Sequence, residues 1–229
     1  MEKLSRTQRT VAEGMGTAFL LAAVVGSGIM GERLAGGNAA VALLANSIAT
    51  GAALVALILT FGGISGAHFN PVITVVDASQ DGLAWGDVPW YVCAQTVGAV
   101  AGVVIANVMF ELPPIAMSQH VRSGYGQWIS EFVATFGLVS VIWGCARFRS
   151  EATPFAVAAY IAAAYWFTAS TSFANPAVTF GRSLTDTFAG IRLVDVPGFI
   201  ICQGAGAAAS TALFRAIAVP YPRKEKHVR

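Results

Sequence analysis

Apolar residues in this chain do not alternate, and they are not confined to one helical stripe. They fill long runs at 11–30, 40–61, 88–110, 128–148, 154–172 and 196–219. About 20 apolar residues carry a helix across the hydrocarbon core of a bilayer, so the pattern predicts six transmembrane helices. Strands are disfavoured, because the runs are long, rich in Ala and Gly, and lack a two-residue period. Two further apolar stretches, 62–76 and 173–189, are too short to span, and each carries an Asn-Pro pair, Asn70-Pro71 and Asn175-Pro176. Proline suits the first turn of a helix, where its missing N–H has no partner to lose. Each stretch therefore predicts a loop that enters the membrane (62–69 and 169–174, extended) and a half-length helix that leaves it.

Composition agrees with a membrane bundle. The chain is 55% hydrophobic and 11% charged, with a mean hydropathy of +0.64, whereas soluble domains carry about 25% charged residues. A net charge of +2 is too small to imply a nucleic-acid partner. The basic segment 223–229 reads as a solvated terminus. A signal peptide is disfavoured at the N-terminus, since the first apolar run is long enough to span and equal runs follow it. Cys93, Cys145 and Cys202 lie in apolar runs without metal-ligand spacing, which predicts reduced, buried, structural thiols.

Six spans place both termini on one side. That side holds ten Lys and Arg residues, and the other holds Arg33, Arg122, Arg182 and Arg192. The bias predicts cytoplasmic termini in a multi-pass protein of the inner or plasma membrane. The two Asn-Pro segments then enter from opposite faces. The halves also match: Glu13 and Glu131 are 118 residues apart, Asn70 and Asn175 are 105, and Gln95 and Gln203 are 108. One channel domain over 1–229 is predicted, made of inverted half-repeats 11–110 and 126–219 with a cytoplasmic tail 220–229. Inverted repeats with broken helices at the midplane mark a permeation site.

Two half-helices pointing their N-termini at the centre give an electropositive waist without an ionised side chain. Asn70 and Asn175 are placed to cap them and to aim amide N–H groups into the lumen. Water and small uncharged polar solutes find donors there, and cations meet an unfavourable field. Carbonyls of the extended segments supply acceptors, because irregular backbone at this depth must be buried or line a watery cavity. Glu13 and Glu131 are ionisable and thus functional candidates. The reading favoured here is that they hold the loops by accepting backbone hydrogen bonds, with Gln95 and Gln203 in the same structural role. His68 either lines the pore or packs as a satisfied histidine.

Three rival functions follow from the same residues. A proton- or sodium-coupled secondary transporter needs a coupling site near the midplane, and the acidic residues of the spans are only Glu13 and Glu131. An ion- or anion-leaky channel lacks its ring of charged side chains. An enzyme lacks HExxH, GxSxG or paired catalytic carboxylates, and His68, His120 and His227 are scattered. No catalytic residue, cofactor or metal is predicted.

The motifs SGAHFNPV at 65–72 and ANPAV at 174–178, with six spans and a Glu and Gln per half, resemble the aquaporin and aquaglyceroporin (major intrinsic protein) family over residues 11–219. The resemblance implies a homotetramer with one pore per subunit. It implies a waist at Asn70, Pro71, Val72, Asn175, Pro176 and Ala177. It also implies an outer constriction at four positions, which counting from the asparagines places on Thr50, Ala163, Ser172 and Val178. The chain departs from the family pattern there. Val178 stands where the family usually has arginine, Thr50 where it offers an aromatic, and Ala163 where water-selective members often have histidine. Val72 replaces the alanine of the first motif. Thr179 stands where glycerol specialists carry aspartate, and the loop between 110 and 128 is shorter than theirs.

A wide, neutral constriction follows, suited to glycerol, urea or metalloid hydroxides such as arsenous acid. The missing arginine and aromatic resemble a bacterial branch of the family associated with arsenic resistance. Arg182 falls one helical turn beyond Val178. It either reaches back into the outer vestibule, or it extends to headgroups or pairs with Asp186.

Overall fold

The computed structural model describes residues 4–217. The tail 220–229 and the end of the run at 196–219 lie outside the described residues. Among the described residues the chain is all-helical. The helices are α1 Arg6–Leu34, α2 Ala39–Ser65, α3 Pro71–Ala78, α4 Val88–Met109, α5 Tyr125–Phe148, α6 Thr153–Phe167, α7 Pro176–Arg182 and α8 Val196–Ala216.

Local chemistry starts and stops these helices. At α1, Ser5 Oγ accepts from the Gln8 N–H while the Gln8 side chain accepts from the Ser5 N–H, a reciprocal cap. Asn38 accepts from the N–H groups of Ala40 and Val41 to open α2. Gly66 closes α2 at φ 96°, a left-handed conformation that glycine adopts without steric penalty.

Among the described residues five helices, α1, α2, α4, α5 and α8, with α4 and α8 counted together with the turns before them, are long and apolar enough to cross a membrane. Helix α6 has 15 residues, roughly 22 Å at 1.5 Å per residue. The predicted span 154–172 is therefore corrected: helix ends at Phe167, and Thr168 turns extended at φ −113°, ψ 138°. The helical ladder breaks at Ala169, whose N–H donates to Ser130 Oγ at 2.9 Å instead of to the carbonyl four residues back. The extended segment predicted at 62–69 is also shorter than expected, since α2 stays helical through Ser65.

Helix α1 packs on α4 and α2, and α5 packs on α8 and α6, so both halves repeat one order of long, long, short, long. Small residues allow the close crossings. A Cβ on Gly98 would overlap the Gly14 carbonyl oxygen, and one on Gly206 would overlap that of Phe132. Van der Waals packing of this kind is what joins helices when lipid removes the hydrophobic drive between them.

Large apolar side chains, among them Val97, Ile105, Ile129 and Ile201, are exposed on the outer faces of these helices. With the long apolar helices they make this a multi-pass membrane protein. Cys93 belongs to the exposed surface rather than to the predicted interior, while Cys145 and Cys202 are half-buried; all three are free thiols.

On the face opposite the N-terminus, the loop between α4 and α5 lies over the segment that follows α7. Ala116 N–H donates to Leu184 O and Ser118 N–H to Ser183 O, both at 3.0 Å, and Arg192 N–H donates to His120 O at 2.9 Å. This covering loop brings a side chain, Arg122, down onto the functional site.

Candidate functional site

Pro71 and Pro176 each occupy the first turn of a short helix. The backbone arriving at them is strained. Ala67, Phe69, Ser172 and Ala174 all have φ between 49° and 52°, a left-handed region that costs roughly 1–3 kcal/mol for a non-glycine residue. Such strain persists only where surrounding bonds over-determine the backbone.

Two fully buried carboxylates provide those bonds. Glu13 on α1 accepts from Ser65 Oγ at 2.6 Å, His68 N–H at 3.0 Å, Phe69 N–H at 2.7 Å and Gln95 Nε2 at 2.8 Å. Glu131 on α5 accepts from Ser170 Oγ at 2.6 Å, Phe173 N–H at 2.9 Å, Ala174 N–H at 2.9 Å and Gln203 Nε2 at 2.6 Å. Gln95 and Gln203 also donate to Thr74 and Thr179 of the short helices, each at 2.9 Å. Four donors per carboxylate offset the large cost of burying it.

The asparagines then tie the loops together. Asn70 accepts from Val72 N–H, and Asn175 accepts from Ala177 and Val178 N–H. Asn70 Nδ2 donates to Ala174 O and Asn175 Nδ2 to Phe69 O, both at 2.8 Å. Each amide thus uses one N–H on the opposite loop and keeps one, a smaller donor capacity than a free amide facing the lumen. Val72 and Ala177 pack into the apolar core.

Beside this junction runs a cavity of about 250 Å³, room for roughly eight waters at ~30 Å³ each. Its walls are apolar residues of α1, α2, α5 and α6, such as Leu20, Leu54, Leu138 and Ile161. Its polar side chains are those of Thr50, His68, Asn70, Thr153, Tyr165, Ser172, Asn175 and Arg182. This pattern, an apolar tube with a few convergent polar groups, lets a small uncharged solute exchange hydrogen bonds without offering an ion a full hydration shell.

At the end nearer the covering loop, the Thr50 and Tyr165 hydroxyls are 3.1 Å apart. Ser172 Oγ is buried without a hydrogen-bond partner among the described residues. Val178 contributes a short apolar wall. The Arg182 guanidinium lies 3.4 Å from the Phe173 ring centroid, and its Nε donates to Ala189 O.

Arg122 faces the same ring at 5.0 Å and donates to Gly190 O at 2.7 Å and Ser170 O at 3.2 Å. Burial pushes the Arg122 guanidinium down to about 10, so it remains charged at neutral pH. At the other end, His68 Nδ1 sits 3.2 Å from Thr74 Oγ1, and its Nε2 lies 3.5 Å from Asp77 Oδ2.

Two sequence expectations need correction. Ala163 is exposed on the outer face of α6 and does not line the cavity. Val157, Ile161 and Tyr165, one per turn, form the cavity face of that helix. The count from Asn175 crosses a non-helical turn at 168–174, and the residue of α6 that faces the cavity there is Tyr165, two positions on. Sequence reasoning missed that residue. Its hydroxyl on the same helical face as Val157 and Ile161 was the available signal.

Arg182, the second, neither extends to headgroups nor pairs with Asp186. It is 2% exposed and lines the cavity, while Asp186 accepts from Gln119 N–H. Arg122, given only as an outer-loop charge, was also missed as part of the site.

Comparison with known proteins agrees with this architecture. Residues 1–154 match the family described as major intrinsic protein. The chain is 53% identical over 220 residues to aquaglyceroporin AqpS of Rhizobium meliloti (strain 1021), covering 96% of this chain and 94% of that one. It is 34% identical over 126 residues to probable aquaporin NIP7-1 of Arabidopsis thaliana, covering 55% and 45%. The X-ray structure of the aquaglyceroporin from Plasmodium falciparum shares the fold, with a TM-score of 0.75 over 94% of this chain and 98% of that chain at 16% identity.

Proposed function

The chain belongs to the major intrinsic protein family and is a passive channel for small uncharged solutes of the water and glycerol class, not an enzyme; on that premise we propose that its outer constriction is wide enough for polyols and for metalloid hydroxides such as arsenous acid. The observation that supports this reading is the outer end of the cavity, where Thr50, Ser172 and Val178 offer only short side chains. The waist in this reading is the pair of cross-bonded asparagines, which present their remaining N–H groups to passing solute. Glu13, Glu131, Gln95 and Gln203 hold the two loops and do not touch solute. His68 lines the end away from the covering loop.

A passive channel is favoured over a coupled transporter because the cavity wall, among the described residues, carries no carboxylate to bind or exchange a coupling ion. Loss of a fixed positive charge at position 178 leaves ion exclusion to the remaining groups of the pore. The channel is read as a homotetramer with one pore per subunit, in the inner or plasma membrane, with both termini in the cytoplasm.

Stopped-flow assays on proteoliposomes with water, glycerol and arsenous acid test the proposal. Wild type is expected to pass all three. Val178→Arg is expected to curtail the two larger solutes and spare water. A wild type that passes water alone discards the wide constriction.

A further inference from the structure

We propose that Arg182 supplies the fixed charge and the solute-facing donors of the outer constriction, and that Arg122 positions it through Phe173. The proposal rests on the reading of the outer end as the selective narrowing. It adds the charge that Val178 lacks, brought in from one turn further along.

Burial is the first argument. Arg182 is 2% exposed, and among the described residues it has no carboxylate partner. A guanidinium has five N–H donors. One, on Nε, bonds Ala189 O, and the other four have no acceptor among the described residues. An ion buried this way needs solvation from somewhere, and the cavity that Arg182 lines is where water or solute can provide it.

Geometry is the second. The Phe173 ring lies between two guanidinium groups, at 3.4 Å from Arg182 and 5.0 Å from Arg122. Each contact is a cation–π attraction. Arg122 is further bound to Ser170 O and Gly190 O, on both sides of the Arg182 loop, and its own backbone N–H donates to Asp195 Oδ2 at 2.9 Å. The stack therefore holds the Arg182 fork at one height.

The facing groups complete a subsite. Ser172 Oγ is unpartnered, and the Thr50–Tyr165 pair shares one hydrogen bond between two hydroxyls, leaving one O–H unused. Four guanidinium donors with these hydroxyls suit a neutral solute that carries two or more oxygens on adjacent or common atoms. Water alone satisfies them less completely.

The repeat supplies an independent observation. Asp77 occupies the same place after Asn70 that Arg182 occupies after Asn175. His68 corresponds likewise to Phe173, and His68 and Asp77 are again in contact, at 3.5 Å. In both halves this position sets a charge against the ring two residues before the asparagine.

Arg182→Gln and Arg182→Lys, with Arg122→Ala, Arg122→Lys and Val178→Arg, test this in proteoliposomes. The readouts are potassium leak and the glycerol-to-water permeability ratio, each normalised to the amount of folded channel reconstituted. Arg182→Gln is expected to raise potassium leak at least about tenfold, the scale set by one unit charge ~10 Å away at an effective dielectric constant near 20, and to lower the ratio. Arg182→Lys is expected to restore potassium exclusion without the ratio, because it keeps the charge and loses the fork. Arg122→Ala is expected to move both readouts the same way by less, with Arg122→Lys in between.

An unchanged leak and ratio in both Arg182 variants overturn the Arg182 assignment, and the constriction reading survives if Val178→Arg still curtails glycerol. If Val178→Arg also changes nothing, that reading fails too. An Arg122→Ala channel with an unaltered ratio overturns the positioning role.

Discussion

The loop before Asn70 and the loop before Asn175 share one set of hydrogen bonds, and the short helices that follow them carry opposite charges in their last turns, Asp77 and Arg182. Ser65 and Ser170, Thr74 and Thr179, and the two asparagines bond matching partners at distances within a few tenths of an ångström. Each loop hangs on one buried carboxylate and one glutamine. Where the side chains reach the lumen, the copies part. In the first half His68 lines the cavity and Asp77 stands behind it, off the cavity wall, whereas in the second Phe173 and Arg182 both line it. The two halves agree in the parts that solve a backbone problem. They differ beside the cavity, where Arg182 lines one end and His68 the other, while their supports are equivalent.

If the supports are equivalent, breaking either should hurt equally. Glu13→Ala and Glu131→Ala each leave two backbone N–H groups, a hydroxyl and one glutamine amide N–H without that acceptor, at about 1–3 kcal/mol per buried group. Each variant is expected to lose about 4 kcal/mol of stability, read as a large fall in thermal midpoint in detergent. A channel that tolerates one substitution and not the other breaks the comparison.

A smaller effect is expected at the asparagines. Asn70→Ala and Asn175→Ala each remove a helix cap worth about 1 kcal/mol and one bond to the opposite loop. Because both bonds cross the same junction, the double variant should lose measurably less, or more, than the sum of the singles. Strict additivity in a denaturation series argues that the loops are independent.

The smallest effect sharpens the comparison at one mouth only. Tyr165→Phe removes the hydroxyl that meets Thr50, a net contribution of about 0.5–1.5 kcal/mol. It is expected to shift the glycerol-to-water ratio about twofold, since ~0.4 kcal/mol is a factor of two, without altering stability beyond about 1 kcal/mol. A shift in stability with no shift in the ratio assigns Tyr165 to packing alone.

The difference between the loops also explains what could be read from the chain and what could not. Long apolar runs and two Asn-Pro pairs at matched offsets were legible because membrane helices need length and half-helices need a start signal. Glutamate and glutamine stood out as polar residues repeated inside apolar spans. Ala163 was misplaced because a fixed count assumes a fixed spacing between α6 and Asn175, whereas the cavity face of α6 falls on Val157, Ile161 and Tyr165. Arg182 was weighed against Asp186 by the four-residue helical rule, yet α7 ends at Arg182, so Asp186 is not on its helix. Arg122 was beyond reach, since its place on Phe173 depends on how a covering loop folds back across the chain. Local periodicity carries no record of such a contact.

The central claim is that uncharged solutes larger than water pass an outer constriction walled by Val178. The glycerol-to-water permeability ratio, measured by stopped flow in matched vesicles of wild type and Val178→Arg, tests it most directly. The account predicts ready glycerol flux in wild type, cut at least about tenfold by the arginine, the scale of ~1.4 kcal/mol, while water flux persists. Equal ratios in the two proteins, or a wild type closed to glycerol, would contradict it.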